Sequence, residues 1–523
     1  MACKLRLPDL PLVVFLLVFD LLDNADIDTF RLVSRACRDA SEPVFFRKLF
    51  LHENTRSAAK VNQNICQRLC DPDDQLSRHV RHLGISLTTQ DAPCASEKVL
   101  LKVMESIKDL RDFSWNTRFA IPDALLTAFH STWPRARLHV RNLKRNQPEA
   151  NATPYIQLDT RLLSSPQLYS LDLMVCGNFN GLTPRSEFQT LRNCLLQAKN
   201  LKRLRLDAGT IDDQRTWIAS PQHLCLRDGD EFPALHSLCL TYDRYKLTEV
   251  HCRQWLKTMD WSQLRNLDLD HGCPEYFFAA ITGRIPQLKS LKFGFWPTYS
   301  GSRSWQCHDL TVVARLFASI DALEDLVLQN FDQAEFDSVI RGTDSIIRHW
   351  RALKKLHVSF CEYHAKGLTS ADVRNVVAGC PDLRDVDLKI AMERDQDVTQ
   401  NAKIWPQEAI SELRKLQRLA NLAVELHLDE LCFEFLQASE HLIEAPAEQR
   451  AIALFHLLRQ SHSPSPIEIV AVNFKITFPP RNWKWTVKRG NGDDFSLSKD
   501  FVGVPSVAQW PVTPTGGDFD PWG

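Results

Sequence analysis

The 523-residue chain has almost no net charge, no CxxC pair, no apolar run long enough to cross a bilayer and no catalytic signature. Each absence narrows the function. A formal charge of −1 leaves no global field to draw in nucleic acid or an anionic membrane, so neither is expected as a partner. The fifteen cysteines are an odd number, scattered from Cys3 to Cys432, and fit buried thiols better than a disulfide framework. Dispersed thiols suit a reducing compartment, so a cytoplasmic or nuclear location is expected. His223/Cys225, His271/Cys273 and Cys307/His308 are close pairs, but none belongs to a four-ligand spacing. No metal and no cofactor are therefore expected. G-x-S-x-G, H-E-x-x-H and the Walker loop are missing, which argues against intrinsic catalysis.

What is present starts at the amino terminus. Apolar residues make up 44% of the chain and charged residues 24%, ordinary for a soluble folded protein, yet "LPLVVFLLVFDLL" (Leu10 to Leu22) is densely apolar. As a secretory leader it has Lys4 and Arg6 ahead of it, but an acidic stretch and no small-residue cleavage site behind it. A bilayer span takes about 20 apolar residues, and Asp20 interrupts well before that. As a helix, Val14, Leu17, Val18 and Leu21 form one stripe, and Phe15, Leu16 and Phe19 cover much of the remaining circumference. A short helix apolar nearly all round must be buried on more than one side. In a module of about fifty residues, one side packs internally and the other calls for a partner.

A second helix is expected behind Asp26 as N-cap, with Ile27, Phe30 and Val33 at helical spacing. A third is expected over "PVFFRKLFL", opened by Pro43. The helical module would then span residues 1–51.

These residues resemble an F-box, the module that docks F-box proteins onto the Skp-type adaptor of cullin–RING ubiquitin ligases. Leu10-Pro11 matches the family's Leu-Pro pair, Leu22 closes the first helix, Asp26-Ile27 is the Asp-Leu-like step, and Val33-Ser34-Arg35 is the signature of the second helix. Val13 stands where the family often has Glu, and Cys37 where it usually has Trp, which removes a large apolar side chain. The resemblance implies adaptor contacts through Leu10, Pro11, Val14, Val18, Leu22, Ile27, Val33, Ser34 and Cys37, and through the adaptor to a cullin.

Beyond a linker or helix at 52–78, an L-x-x-L-x-L pattern recurs. Its first positions are Leu168, Leu201, Leu235, Leu264, Leu288, Leu323, Leu353 and Leu383, spaced 24 to 35 residues apart. Helical patterns such as "TVVARLFASI" and "ADVRNVVAGC" fall between them. A short strand plus a helix, repeated, is the leucine-rich-repeat unit. The long intervals resemble the irregular repeats found downstream of an F-box, notably in fungal proteins. "VRHLGI" and "LRDFSW" are degenerate early turns, "LANLAV" is a late one, and "RLHVRNLKRNQPEANATPYI" is polar enough for a loop. The expected architecture is α/β: a three-helix F-box-like module, then an irregular horseshoe-shaped solenoid over 79–478. A β-hairpin follows at 479–499, where Trp483, Trp485 and Val487 face Phe495 and Leu497, and a disordered Pro/Gly-rich tail at 500–523.

If the leucines point inward, the intervening strand residues line the open face. The expected target-binding set is Arg203, Arg205, Asp268, Asp270, Lys292, Lys355, His357, Asp385 and Asp387. Mixed charge there suits a protein target, whose identity the residues do not reveal. An alternative is a repeat scaffold for protein–protein contacts whose terminal helices only cap it, with no ligase role.

Overall fold

The structure, a computed structural model, describes residues 14–501 apart from 15–17, 20–21, 23, 54–55, 88–96, 118, 143–155, 177–186, 210–222, 242–244, 271, 296–306, 308, 332, 337, 340–350, 361–366, 391–406, 428–450, 453, 457, 459–466, 478–479 and 490–494. Two compact units divide the chain, residues 1–235 with 257–260 and residues 236–256 with 261–523. No helix among the described residues is long and apolar enough to cross a membrane.

The first unit opens with helices. Val14, Val18 and Phe19 are helical, followed by α1 (Asn24–Val33) and α2 (Arg35–Phe45). Ser34 separates α1 from α2. Its backbone is extended, and its hydroxyl accepts a hydrogen bond from the Cys37 N–H at 3.1 Å, which caps α2. Because α1 already starts at Asn24, Asp26 lies in its first turn rather than at the cap. A carboxylate there still meets the positive end of the helix.

The expected third helix is not formed. Pro43 sits in the last turn of α2, and the chain continues as strand β1 (Lys48–Glu53). Alternation decides this: Leu49 and Leu51 are buried two residues apart while Lys48 and His52 are exposed, the period of a strand and not of a helix.

Parallel pairing then runs from β1 through β2 (His82–Leu87), β3 (Asp112–Trp115), β4 (Arg137–Asn142) and β5 (Leu168–Cys176) to β6 (Arg203–Gly209). Strand repeats therefore begin at residue 48, not 79, and the expected linker holds the end of β1 and helix α3 (Arg56–Cys70). The polar stretch "RLHVRN", expected as loop, is β4. Only Leu138 and Val140 are needed to fill its inner face, so its apolar content is low. Leu49, Leu83, Phe113 and Leu138 stand side by side in register, all buried. Helix α4 (Asp123–Thr132) contributes Phe129, whose ring lies 5.2 Å from that of Phe113.

In the second unit, parallel strands run from β7 (Ser237–Thr241) through β8 (Asn266–Asp268), β9 (Ser290–Gly294), β10 (Asp325–Phe331), β11 (Lys355–Phe360), β12 (Asp385–Lys389) and β13 (Asn421–His427) to β14 (Ile469–Thr477). The middle leucines of the sequence motif form one rung, Leu238, Leu267, Leu291, Leu326, Leu356, Val386 and Leu422, each the register partner of the next. Between strands lie helices α5 (Glu275–Ile281), α6 (Thr311–Ala318) and α7 (Ser370–Gly379), the last opened by a Thr369–Asp372 capping box. Phe293 gathers the core here, with the rings of Phe278, Phe331 and Phe317 at 5.3, 5.9 and 6.3 Å.

The terminal hairpin pairs β15 (Pro480–Arg489) with β16 (Phe495–Phe501), antiparallel, with Val487 opposite Leu497 and Arg489 opposite Phe495. It reaches two residues into the expected tail. The Asn-Gly turn and residues 502–523 lie outside the described residues.

Candidate functional site

Two surfaces offer function, one on the amino-terminal helices and one on the polar faces of the sheets.

In the helical module, Phe19 and Ile27 form a small core against which Leu22, Phe30, Ala40, Val44 and Phe45 pack. The Phe19 and Phe30 rings meet edge to face at 5.1 Å, and the Arg31 guanidinium lies 3.5 Å above the Phe45 ring. Arg68 of α3 fastens the module to the rest of the unit, donating to Glu42 at 2.8 Å and to Asp74 at 2.7 Å.

Four large apolar side chains of this module stay in water: Val14 (38% exposed), Val18 (43%), Leu32 (81%) and Val33 (71%). Leaving so many on about thirty residues is costly unless another surface covers them. Of the sequence-expected docking residues, Val14, Val18 and Val33 are therefore open and Leu22 is half-buried. Ser34 is exposed, but its hydroxyl serves as a cap. Ile27 and Cys37, by contrast, are buried, Ile27 in the small core with Phe19. Leu10 and Pro11 lie outside the described residues. Leu32 went unnoticed because it falls off the Ile27–Phe30 stripe, and such an apolar residue on the polar side of a helix was the signal.

On the sheets, strand alternation places polar residues on the face opposite the leucines. The expected target-binding residues fall into separate groups. Arg203 and Arg205 lie on β6 of the first unit, half-buried, and Arg205 is the register partner of Asp172. In the second unit, Lys292 reaches Asp268 at 3.5 Å and Asp270 at 3.3 Å. Burial alone would lower the pKa of Lys292, but the two carboxylates outweigh it and hold the ammonium above its usual range. The Asp268 and Asp270 carboxylates thus share one lysine, whose charge offsets one of their two. Further along, Lys355 approaches Asp385 at 3.8 Å, and His357 Nδ1 lies 2.7 Å from Asp387. Lys389, which alternation also assigns to this face, is buried.

A further polar cluster of the first unit lies on strands without the leucine motif. His82, Asp112 and Arg137 form one rung across β2, β3 and β4, and Ser114, His139 and Ser170 the next across β3, β4 and β5. Arg137 clamps both oxygens of Asp112, and His139 Nε2 lies 3.1 Å from the same carboxylate. His139 Nδ1 bonds Ser170 Oγ at 2.8 Å, and His82 Nε2 bonds Ser114 Oγ at 3.1 Å. Burial would raise the Asp112 pKa, but the bonds from His139 and Arg137 win and hold it at about 2. Burial, with His139 nearby, pulls His82 down to about 3. The order Ser170–His139–Asp112 has the connectivity of a nucleophilic relay. However, Arg137 already compensates the carboxylate that would support an imidazolium, and Ser170 is buried. Its chemistry is that of an internal hydrogen-bonded network. Among the described residues, no group of three His, Cys, Asp or Glu side chains is placed to hold a metal ion.

The amino-terminal helices thus carry exposed apolar side chains, and the strand repeats carry polar residues on the face opposite the leucines. The model of the F-box domain matches residues 7–48, and those residues are an F-box domain. No curated protein sequence matches the chain. Among solved structures, the chain is similar to one in the crystal structure of the Rad7 and Elc1 complex in yeast, at 15% identity and a TM-score of 0.40, covering 80% of this chain and 88% of that one.

Proposed function

We propose that this chain is the substrate-recognition subunit of a Skp–cullin–F-box ubiquitin ligase. The observation that carries the proposal is the F-box at residues 7–48 with Val14, Val18, Leu32 and Val33 left in water. These side chains dock a Skp-type adaptor, with Leu10 and Pro11 extending the contact, and the adaptor leads to a cullin. Ser34 acts by positioning α2 rather than by contact.

The irregular leucine-rich repeats then hold a target protein on the polar strand faces, through Arg203 and Arg205 in one unit and through Asp268, Asp270, Lys292, Lys355, His357, Asp385 and Asp387 in the other. The chain makes and breaks no bonds itself. It raises the concentration of target near the ubiquitin-transferring enzyme, as a tether does. Such a role belongs to the cytoplasm or nucleus.

Mixing the purified full chain with a purified Skp-type adaptor tests this reading. Co-elution of the two as one complex on size exclusion is expected. Separate elution at micromolar concentrations would move the chain to the class of repeat scaffolds.

A further inference from the structure

The second position of the L-x-x-L motif is charged in five successive strands of the second unit. Arg265 stands one residue ahead of β8, Lys289 ahead of β9, Glu324 ahead of β10, Lys354 ahead of β11 and Arg384 ahead of β12. Backbone hydrogen bonds of 2.7 to 2.8 Å join them in one line, each N–H donating to the carbonyl of the residue before. The leucines just ahead of them, Leu264, Leu288, Leu323, Leu353 and Leu383, are buried, so the charged side chains form a rim where the strands begin. Arg265, Lys289, Lys354 and Arg384 are exposed there. Strand spacing puts about 19 Å between the two end residues.

Glu324 sits in the middle of the rim, with Lys289 Nζ at 3.1 Å on one side and Lys354 Nζ on the other. One carboxylate thus holds two ammonium groups and offsets only one of them. Arg265 and Arg384 make no ion pair among the described residues. The turns leading into the rim are balanced, Asp321 and Asp382 against Arg351 and Arg418, with Arg418 donating to Asp382 at 2.8 Å. The next rung inward, Asn266, Ser290, Asp325, Lys355 and Asp385, has more carboxylate than ammonium. Beyond Arg384 the line passes Ala420 to Glu468, which ends the basic stretch. In a chain of formal charge −1, the positive excess is therefore local to the rim.

We infer that this rim binds an extended, acidic segment of a partner protein, lying across the starts of β8 to β12. A span of that length takes about six extended residues. Carboxylates at the ends of the segment pair with Arg265 and Arg384, whose planar guanidinium forks suit them. Those nearer the middle compete with Glu324 for Lys289 and Lys354. A peptide can omit charge where it passes Glu324, Asp325 and Asp385, whereas a nucleic-acid strand carries a phosphate at every step and is repelled there. Binding at the rim requires neither an adaptor nor a target on the polar strand faces, so failure of F-box docking leaves it intact.

The test is fluorescence anisotropy of the full chain with labelled hexaglutamate and, separately, a labelled oligothymidylate of the same charge, without adaptor. Hexaglutamate should bind saturably, more tightly than the oligonucleotide, and more weakly as salt rises. Arg265→Gln combined with Arg384→Gln should weaken it about tenfold, whereas the two changes to Lys, which keep the charge, should retain most of the binding. Glu324→Gln, which releases both lysines, should tighten it about threefold. Arg374→Gln, on α7 and paired with Glu412, should stay within about twofold of wild type. A wild-type chain that does not bind hexaglutamate or that prefers the oligonucleotide, or a folded Gln double variant that binds as wild type does, overturns the proposal.

Discussion

Arg137 donates from Nε and Nη2 to the two carboxylate oxygens of Asp112, at 2.5 and 2.9 Å, across the β3–β4 pairing. Its side chain is 47% exposed and that of Asp112 only 10%. The two partners are therefore unequal when one is lost. Asp112→Ala leaves His139 buried beside an empty acceptor position, whereas Arg137→Ala leaves a carboxylate still held by His139. Costs of about 3 kcal/mol for Asp112→Ala against about 1 kcal/mol for Arg137→Ala are expected in urea denaturation. Equal losses would mean that the network does not work as described.

Acid should weaken the first unit in two stages. His82 has a folded pKa of about 3 against an ordinary 6.5, and Asp112 about 2 against 3.8. In both cases the unfolded chain takes up the proton first. Stability is thus fully present above the ordinary value and drains away as pH falls towards the folded one. The His82 contribution is lost from about pH 6.5 downwards, and the Asp112 contribution from about pH 4, each at up to about 1.4 kcal/mol per pH unit. His82→Gln should reduce the first slope, between pH 6 and 4, leaving the share of His139, whose pKa burial also lowers, and should leave the second. Thermal melts across that range check it.

Gly84 lies directly beneath the Phe50 ring. A Cβ built on Gly84 would come within 2.2 Å of Phe50 Cδ1. Gly84→Ala is expected to cost about 1–3 kcal/mol, as overpacking does. In the Phe50→Ala background the same change should cost far less, so a double-mutant cycle should show strong coupling. Additive effects would place the ring elsewhere.

Leu267 stands in the middle of the leucine rung of the second unit, buried between Leu238 and Leu291. Leu267→Ala should open a cavity and cost about 2–5 kcal/mol. Lys355→Ala, on the half-open opposite face, should cost well under 1 kcal/mol. Denaturation of the two variants side by side tests which face is the core.

Legibility in the sequence followed the leucines. Where three apolar residues repeat at fixed offsets, as at Leu264, Leu267 and Leu269, the middle one pairs in register with the middle leucines of its neighbours, Leu238 and Leu291. The reading failed where other pressures shaped the strand. In β4 the outward His139 and Arg137 serve the Asp112 network, so "RLHVRN" looks polar although Leu138 and Val140 are core. Ahead of β1, Pro43 opening a short apolar stretch suggests a helix, while Leu49 and Leu51 alternate as a strand. Among docking residues, the sequence located the module but not its inside and outside. Ile27 and Phe30 share a helical stripe that the fold turns inward, whereas Leu32 and Val33, just before Ser34, are exposed.

The measurement that bears most directly on the account is calorimetric titration of a purified Skp-type adaptor into the full chain and three valine-to-aspartate variants. Val18 and Val33 are exposed on the F-box, while Val61 is equally exposed, at 57%, on α3 of the same unit outside residues 7–48. All three variants should keep the wild-type circular dichroism spectrum. Val18→Asp and Val33→Asp should weaken adaptor binding about 100-fold or more, with Val61→Asp within about twofold of wild type. Wild type that releases no heat of binding, or a Val61→Asp loss as large as the other two, would contradict it.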